Sequence, residues 1–118
     1  IVVYSDKSDL INLVITQNAA DSASQLLIGA YKDNFAQSYR INYPSADWVG
    51  VGINEINERK VGFLELVFQE GNRKMYRLIF FTDVKGRLLV CTFNCPRKKM
   101  KKWAPVANEI MNSLNVTK

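Results

Sequence analysis

The strongest constraint in this chain is a run of three apolar strands in close succession over residues 60–95: "KVGFLELVFQ", "RKMYRLIFFT" and "RLLVCTFNC". Successive side chains of a strand point to opposite faces, so a sheet wetted on one side alternates apolar with polar residues. These strands do not alternate. Leu64, Leu66 and Phe68 point one way, Phe63 and Val67 point the other, and "LIFF" and "LLVCTF" are apolar in both directions. Both faces therefore need covers, which calls for helical layers on the two sides of the sheet. The connectors "EGN" and "DVKG" are too short for a crossover, so the three strands are antiparallel neighbours. Asp83 and Gly86 suit the first and last positions of a type I turn.

Two segments can supply the covers. Over residues 22–37, Ser22 and Gln25 have capping-box spacing, and Ala23, Leu26, Leu27, Ala30, Tyr31 and Phe35 recur at helical intervals. At the C-terminus Met100, Trp103, Ala107, Ile110 and Leu114 form a second stripe flanked by Val106 and Met111. Pro105 would clash with the carbonyl of Lys101 inside a continuous helix. The expectation is a short turn over 97–103, a kink, and a main helix opened by Pro105 at its first position. Elsewhere "IVVY" and "LINLVITQ" read as a strand pair across the turn "SDKSD". "SYRINY" reads as a short strand before Pro44, and "DWVGVGINEI" as a strand with Val49, Val51 and Ile53 on one side. The fold class is then α+β, an antiparallel sheet covered by helices on both faces. A length of 118 residues suits one domain, residues 1–118, with a core of its own.

Charge is divided along the chain. Residues 1–70 hold five Lys/Arg and nine Asp/Glu, whereas residues 71–118 hold eleven and two. Such a division points to an oriented field and an anionic partner for the basic part, or to a mixture that folding spreads over one surface. Catalytic chemistry is poorly provided for. No histidine occurs in the sequence, which removes the commonest general base and metal ligand. Asp6/Asp9 and Glu55/Glu58 sit in turn-like stretches as solvated charges, and "GVG" at 50–52 lacks the rest of a phosphate loop. Glu65, inside an apolar strand, is expected to pair with Arg77 or Lys74 across a hairpin. Cys91 and Cys95 make a poor zinc site, and no cofactor is implied. On one extended strand their Cα atoms lie roughly 13 Å apart, against the 4.4–6.8 Å or so of a disulfide, so they are expected to be free thiols. Free thiols favour a reducing compartment.

The densest charge is in "CPRKKMKKWAP", residues 95–105. On a helix Arg97, Lys98, Lys101 and Lys102 span roughly a 140° arc, with Met100 and Trp103 opposite. Trp103 and Met100 then anchor the segment to the sheet, and Trp103 is expected to be largely buried. The cations Arg97, Lys98, Lys99, Lys101 and Lys102, joined by Arg73 and Lys74, form either a solvated face or a contact surface for something negative.

The order of elements resembles the PsbP-like superfamily, which includes a photosystem II extrinsic subunit, a Ran-GTPase-binding import factor and bacterial envelope or adaptor proteins. "GRLLVCTFNCPRKKMKKWAPVANEIMNSLNV" is similar to that family's last strand, short helical turn and closing helix, and "IVVYSDKSDLINLVIT" to its early strand pair. The family carries a further strand ahead of the point where this chain begins, and residue 1 already lies in "IVVY" without an initiator Met, which reads as a trimmed or processed chain. The resemblance implies an α/β/α sandwich and a non-catalytic binding or accessory module that contacts a protein partner, exported or envelope-associated. The alternative reading is a peripheral domain drawn to anionic lipid or nucleic acid by residues 73–102. These two readings differ in how steeply binding falls with salt.

Overall fold

The computed structural model of the chain describes residues 2–5, 11–18 and 24–114. Six strands form one sheet: β1 (Val2–Ser5), β2 (Asn12–Asn18), β3 (Asp47–Ile56), β4 (Arg59–Glu70), β5 (Arg73–Val84) and β6 (Arg87–Pro96). Their spatial order is β1-β2-β6-β5-β4-β3, and every neighbouring pair is antiparallel. Strands β3 to β6 are a meander, and β2 joins it on the far side of β6. Helix α1 (Ile28–Asn42) follows a 3-10 turn at Gln25–Leu27, and helix α2 (Met100–Asn112) follows another at Arg97–Lys99.

The two helices cover opposite faces, as the strand pattern requires. Leu64, Leu66, Phe68, Ile79 and Phe81 pack beneath the α1 side, with Ile28, Phe35, Ala36 and Tyr39 among their partners. Val61, Val67, Tyr76, Leu78, Phe80 and Phe93 pack with Trp103, Ala107 and Met111 of α2. Phe80 and Phe81 are consecutive, yet they are 1% and 0% exposed on opposite faces. Burying each contributes about 2–3 kcal/mol, available only because the sheet is sheathed twice.

Several local expectations are corrected. Lys85 and Gly86 both have positive φ (50° and 77°), and so do Asn57 and Glu58 (50° and 64°). These are two-residue primed turns, whose twist matches the flanking strands better than type I. Asp83 consequently stays in β5, where its carboxylate accepts from Arg59 at 2.9 Å. Ser22 lies outside the described residues. Gln25 does not cap a helix: its carboxamide accepts from the Lys60 N–H at 2.6 Å and donates to the Lys60 carbonyl, Thr82 Oγ1 and Asp83 Oδ1. It bridges the open end of the β4–β5 ladder. The buried stripe of α1 is Ile28 and Ala36 with Tyr31, Phe35 and Tyr39 beside them, while Leu26 and Leu27 are 90% and 40% exposed in the preceding turn and Ala30 is exposed. "SYRINY" is the end of α1 and not a strand, because Tyr39 extends the packed face by one more turn. A bulge between Trp48 and Gly50 leaves Val49 half exposed and sets Trp48 and Val51 against the α1 side.

Pro105 lies within α2, not at its first position. Both Pro105 and Lys101 are exposed, so water can reach the carbonyl deprived of its helical partner and the helix tolerates the ring. Strand β6 runs unbroken through Cys91 and Cys95, which are free and buried against the α2 side. Burial pushes both thiols up to about 11.

Candidate functional site

The basic residues singled out from sequence fall at one end of the sheet. The β4–β5 hairpin turns at Gly71 and Asn72, and the β5–β6 ladder ends at the pair Met75–Pro96. Arg73 and Lys74 therefore overhang the end of β6. Directly after Pro96 the chain leaves the strand and folds into the 3-10 turn of Arg97–Lys99. Hairpin tip and turn enclose a cleft of about 420 Å³ lined by Asn72, Arg73, Lys74, Pro96, Arg97 and Lys98. Four of the seven predicted cations thus meet from two elements far apart in sequence. Lys99, Lys101 and Lys102 are exposed at the start of α2 and do not line the cleft. Lys102 lies over the Trp103 ring at 5.5 Å, and Lys99 tempers the rise of the Cys95 thiol.

None of these seven cations has a carboxylate partner among the described residues, whose ion pairs are Lys32–Asp33 and Arg59–Asp83. Their position also runs against helix electrostatics. The N-terminal end of a helix carries partial positive charge and favours acidic side chains, yet the first turn of α2 has none and is preceded by three cations. Helix and side chains thus add to the same positive potential.

Trp103 is mostly buried, as expected, with part of its surface left open to solvent. It packs at 6.3 Å from Phe93 and shares the α2 core with Met100, so it anchors the basic segment as expected.

Glu65 does not pair with Arg77 or Lys74. The hairpin loop is two residues long, not three, and that single shift sets Glu65 opposite Leu78 and sends Arg77 to the other face. Glu65 accepts from the Tyr76 hydroxyl and from Asn108 at 3.3 Å. Burial, then that bond to Glu65, holds the Tyr76 hydroxyl well above its ordinary pKa. Sequence reasoning missed what lies on the opposite face. There Arg77, Asn94 and Asn12 form one cross-strand row over β5, β6 and β2. Arg77 Nε donates to Asn94 Oδ1, Asn94 Nδ2 donates to Asn12 Oδ1 at 2.8 Å, and an Arg77 Nη donates to the Tyr39 hydroxyl at 3.0 Å. The polar parity of Arg77, Asn94 and Asn12 was visible in the strands, but only the register puts the three in line.

Among the described residues no group of His, Cys, Asp and Glu is arranged to hold a metal ion. No helix among them is long and apolar enough to cross a membrane.

No family model matches the sequence, and no curated protein is similar to it. Solved structures are similar in fold. The cyanobacterial PsbP (CyanoP) of Synechocystis superposes with a TM-score of 0.73 at 14% identity, over 98% of this chain and 73% of that one. The fold is PsbP-like. A protein of unknown function from Pseudomonas aeruginosa, PA94, is similar with a TM-score of 0.75 at 14% identity, over 92% of this chain and 74% of that one. The resemblance drawn from the strand and helix order therefore holds for the fold. Within this PsbP-like frame the basic cleft is built where the second hairpin of the meander, β4–β5, overhangs the last strand.

Proposed function

We propose that this domain is a non-catalytic accessory module that docks an acidic segment of a partner protein into the basic cleft. The observation that carries the reading is the convergence of Arg73, Lys74, Arg97 and Lys98 on one concavity without a carboxylate partner among the described residues. Charges arranged this way give on-rate and specificity toward a complementary partner. The concave shape favours a protruding acidic loop or tail over a bilayer or a duplex, which present broad surfaces. The large exposed apolar residues, Leu26, Leu27, Ile41, Val49, Ile53 and Val106, do not line the cleft, so it lacks the apolar insertion that reinforces membrane binding.

The test compares an acidic peptide, anionic phospholipid vesicles and duplex DNA by titration at low and physiological salt. The peptide should bind best, weaken with salt, and lose most of its affinity when Arg73, Lys74, Arg97 and Lys98 are changed to Gln together. Vesicles or DNA binding at least as tightly as the peptide at physiological salt would establish the broad-surface reading instead. Unchanged peptide affinity in the quadruple variant would remove the cleft from the function.

A further inference from the structure

A second cleft lies on the α1 face of the sheet, between the C-terminal half of α1 and β5. It is an open cleft of about 510 Å³ lined by Phe35, Ser38, Tyr39, Asn42, Tyr43 and Arg77. Its one charge is the Arg77 guanidinium, and that group is held from several sides. Nε donates to Asn94, which is itself fixed by Asn12, and one Nη donates to Tyr39. The guanidinium lies 4.6 Å from the centroid of the Phe68 ring. The second Nη has no hydrogen-bond partner among the described residues, and no carboxylate there pairs with the group. A half-buried arginine is normally matched by an anion of its own chain, since burying a charge is costly unless it is paired. Among the described residues no such anion is found, while the orientation is already fixed.

We propose that this cleft binds a small monocarboxylate with an aromatic or apolar body, its carboxylate on the free edge of Arg77. A guanidinium of fixed orientation presents N–H donors in a fork that suits a planar carboxylate, and it needs no rearrangement to bind one. The body of the ligand meets the rings of Phe35, Tyr39 and Tyr43, the last two stacked at 5.9 Å. Ser38 and Asn42 add neutral polar groups at the rim. One cation against neutral walls matches a single negative charge. A multiply charged anion such as phosphate is drawn to the four cations of the basic cleft instead. The volume lies within the roughly 300–1,000 Å³ range of small-molecule pockets.

The experiment is a titration of the isotopically labelled whole chain with benzoate, benzamide and inorganic phosphate, followed by amide chemical shifts. Benzoate should give saturable shifts confined to residues around Arg77, Tyr39, Tyr43 and Asn94, and the uncharged benzamide should not. Arg77→Gln should weaken benzoate by about tenfold or more, the usual effect of losing a charge-assisted hydrogen bond. Arg77 also ties α1 to the sheet, so Ser38→Asp serves as the second variant. That exposed change places a carboxylate at the rim, where it competes for the guanidinium, and it should weaken benzoate to a similar degree without unfolding the domain. Arg97→Gln with Lys98→Gln should leave benzoate binding unchanged while weakening phosphate, which separates this site from the basic cleft. Benzoate shifts that do not saturate, that map to residues 72–74 and 97–98, or that persist unchanged in Ser38→Asp would overturn the proposal.

Discussion

Gly62 provides the sharpest test of the packing on the α1 face. A Cβ built at this position in β4 would lie 2.4 and 2.5 Å from two Phe81 ring carbons and 3.2 Å from Ile28 Cγ2. Comfortable carbon–carbon contact begins at about 3.5 Å, so the ring would have to retreat by roughly an ångström. It has nowhere to go. Phe81 and Ile28 are both 0% exposed, and Phe81 also packs against Phe35 at a centroid distance of 5.1 Å. Forcing a methyl into such a core costs about 1–3 kcal/mol, and two immobile neighbours place this case at the upper end. Alanine recovers about 0.5–1 kcal/mol through the smaller entropy of its unfolded chain. The net expectation for Gly62→Ala is a loss of about 2 kcal/mol, measured by urea unfolding with tryptophan fluorescence as the signal. Phe81→Leu removes the ring atoms that the methyl meets. The double variant should therefore be more stable than the sum of the single effects predicts, with a coupling of about 1 kcal/mol or more. A neutral Gly62→Ala, or strictly additive variants, would refute the reasoning.

Trp103→Ala should cost about 3 kcal/mol, the lower end for a core aromatic, because part of the ring stays open to solvent; chemical denaturation checks this. Lys98→Glu with Lys101→Glu should raise stability by about 0.3–1 kcal/mol per charge in the same assay, since anions suit the start of α2, while reducing acidic-peptide binding. A loss of stability there would contradict the account of the basic segment. The Cys91 and Cys95 thiols should resist a thiol reagent at pH 8 until the domain is unfolded. Both folded thiols lie near 11 against 9.0 for the free group, so the native state keeps protons that the unfolded chain releases. Their contribution is complete below about pH 9 and falls as pH rises toward 11, a decline that the Cys91→Ala, Cys95→Ala double variant should lack in pH-dependent unfolding.

How much of this could be read beforehand depended on whether a property was local or relational. The two covered faces were legible because Phe80 and Phe81 are apolar neighbours in one strand, and no register is needed to see that they diverge. The α2 stripe was legible for the same reason. Pro105 misled because the rule about proline ignores which side of the helix the freed carbonyl faces. The extent of α1 misled because Tyr39 is packed against partners 30 or so residues away, a tertiary effect that outweighs the strand-like look of "SYRINY". A hairpin one residue tighter than its sequence suggested reversed the expected neighbours of Glu65 and Arg77 together. The basic cleft was half legible: its residues could be named, but their meeting depends on β5 overrunning β6, a length difference settled only by the pairing.

The place of β2 has a kinetic consequence. Strands β3 to β6 are joined by tight turns and can zip as successive hairpins, each closing a short loop. By contrast β2 pairs among the described strands with β1 and with residues 88–94 of β6, the strand made after all the others described. On a ribosome the N-terminal hairpin emerges first and waits for almost the whole remaining chain before its partner exists. In that interval both strands have open edges, the form in which chains pair with the wrong neighbour. Release of a chain truncated before residue 88 would leave the meander intact in its first three strands and the β2 edge permanently unmatched, so aggregation should rise steeply between truncations made just after β6 and just before it.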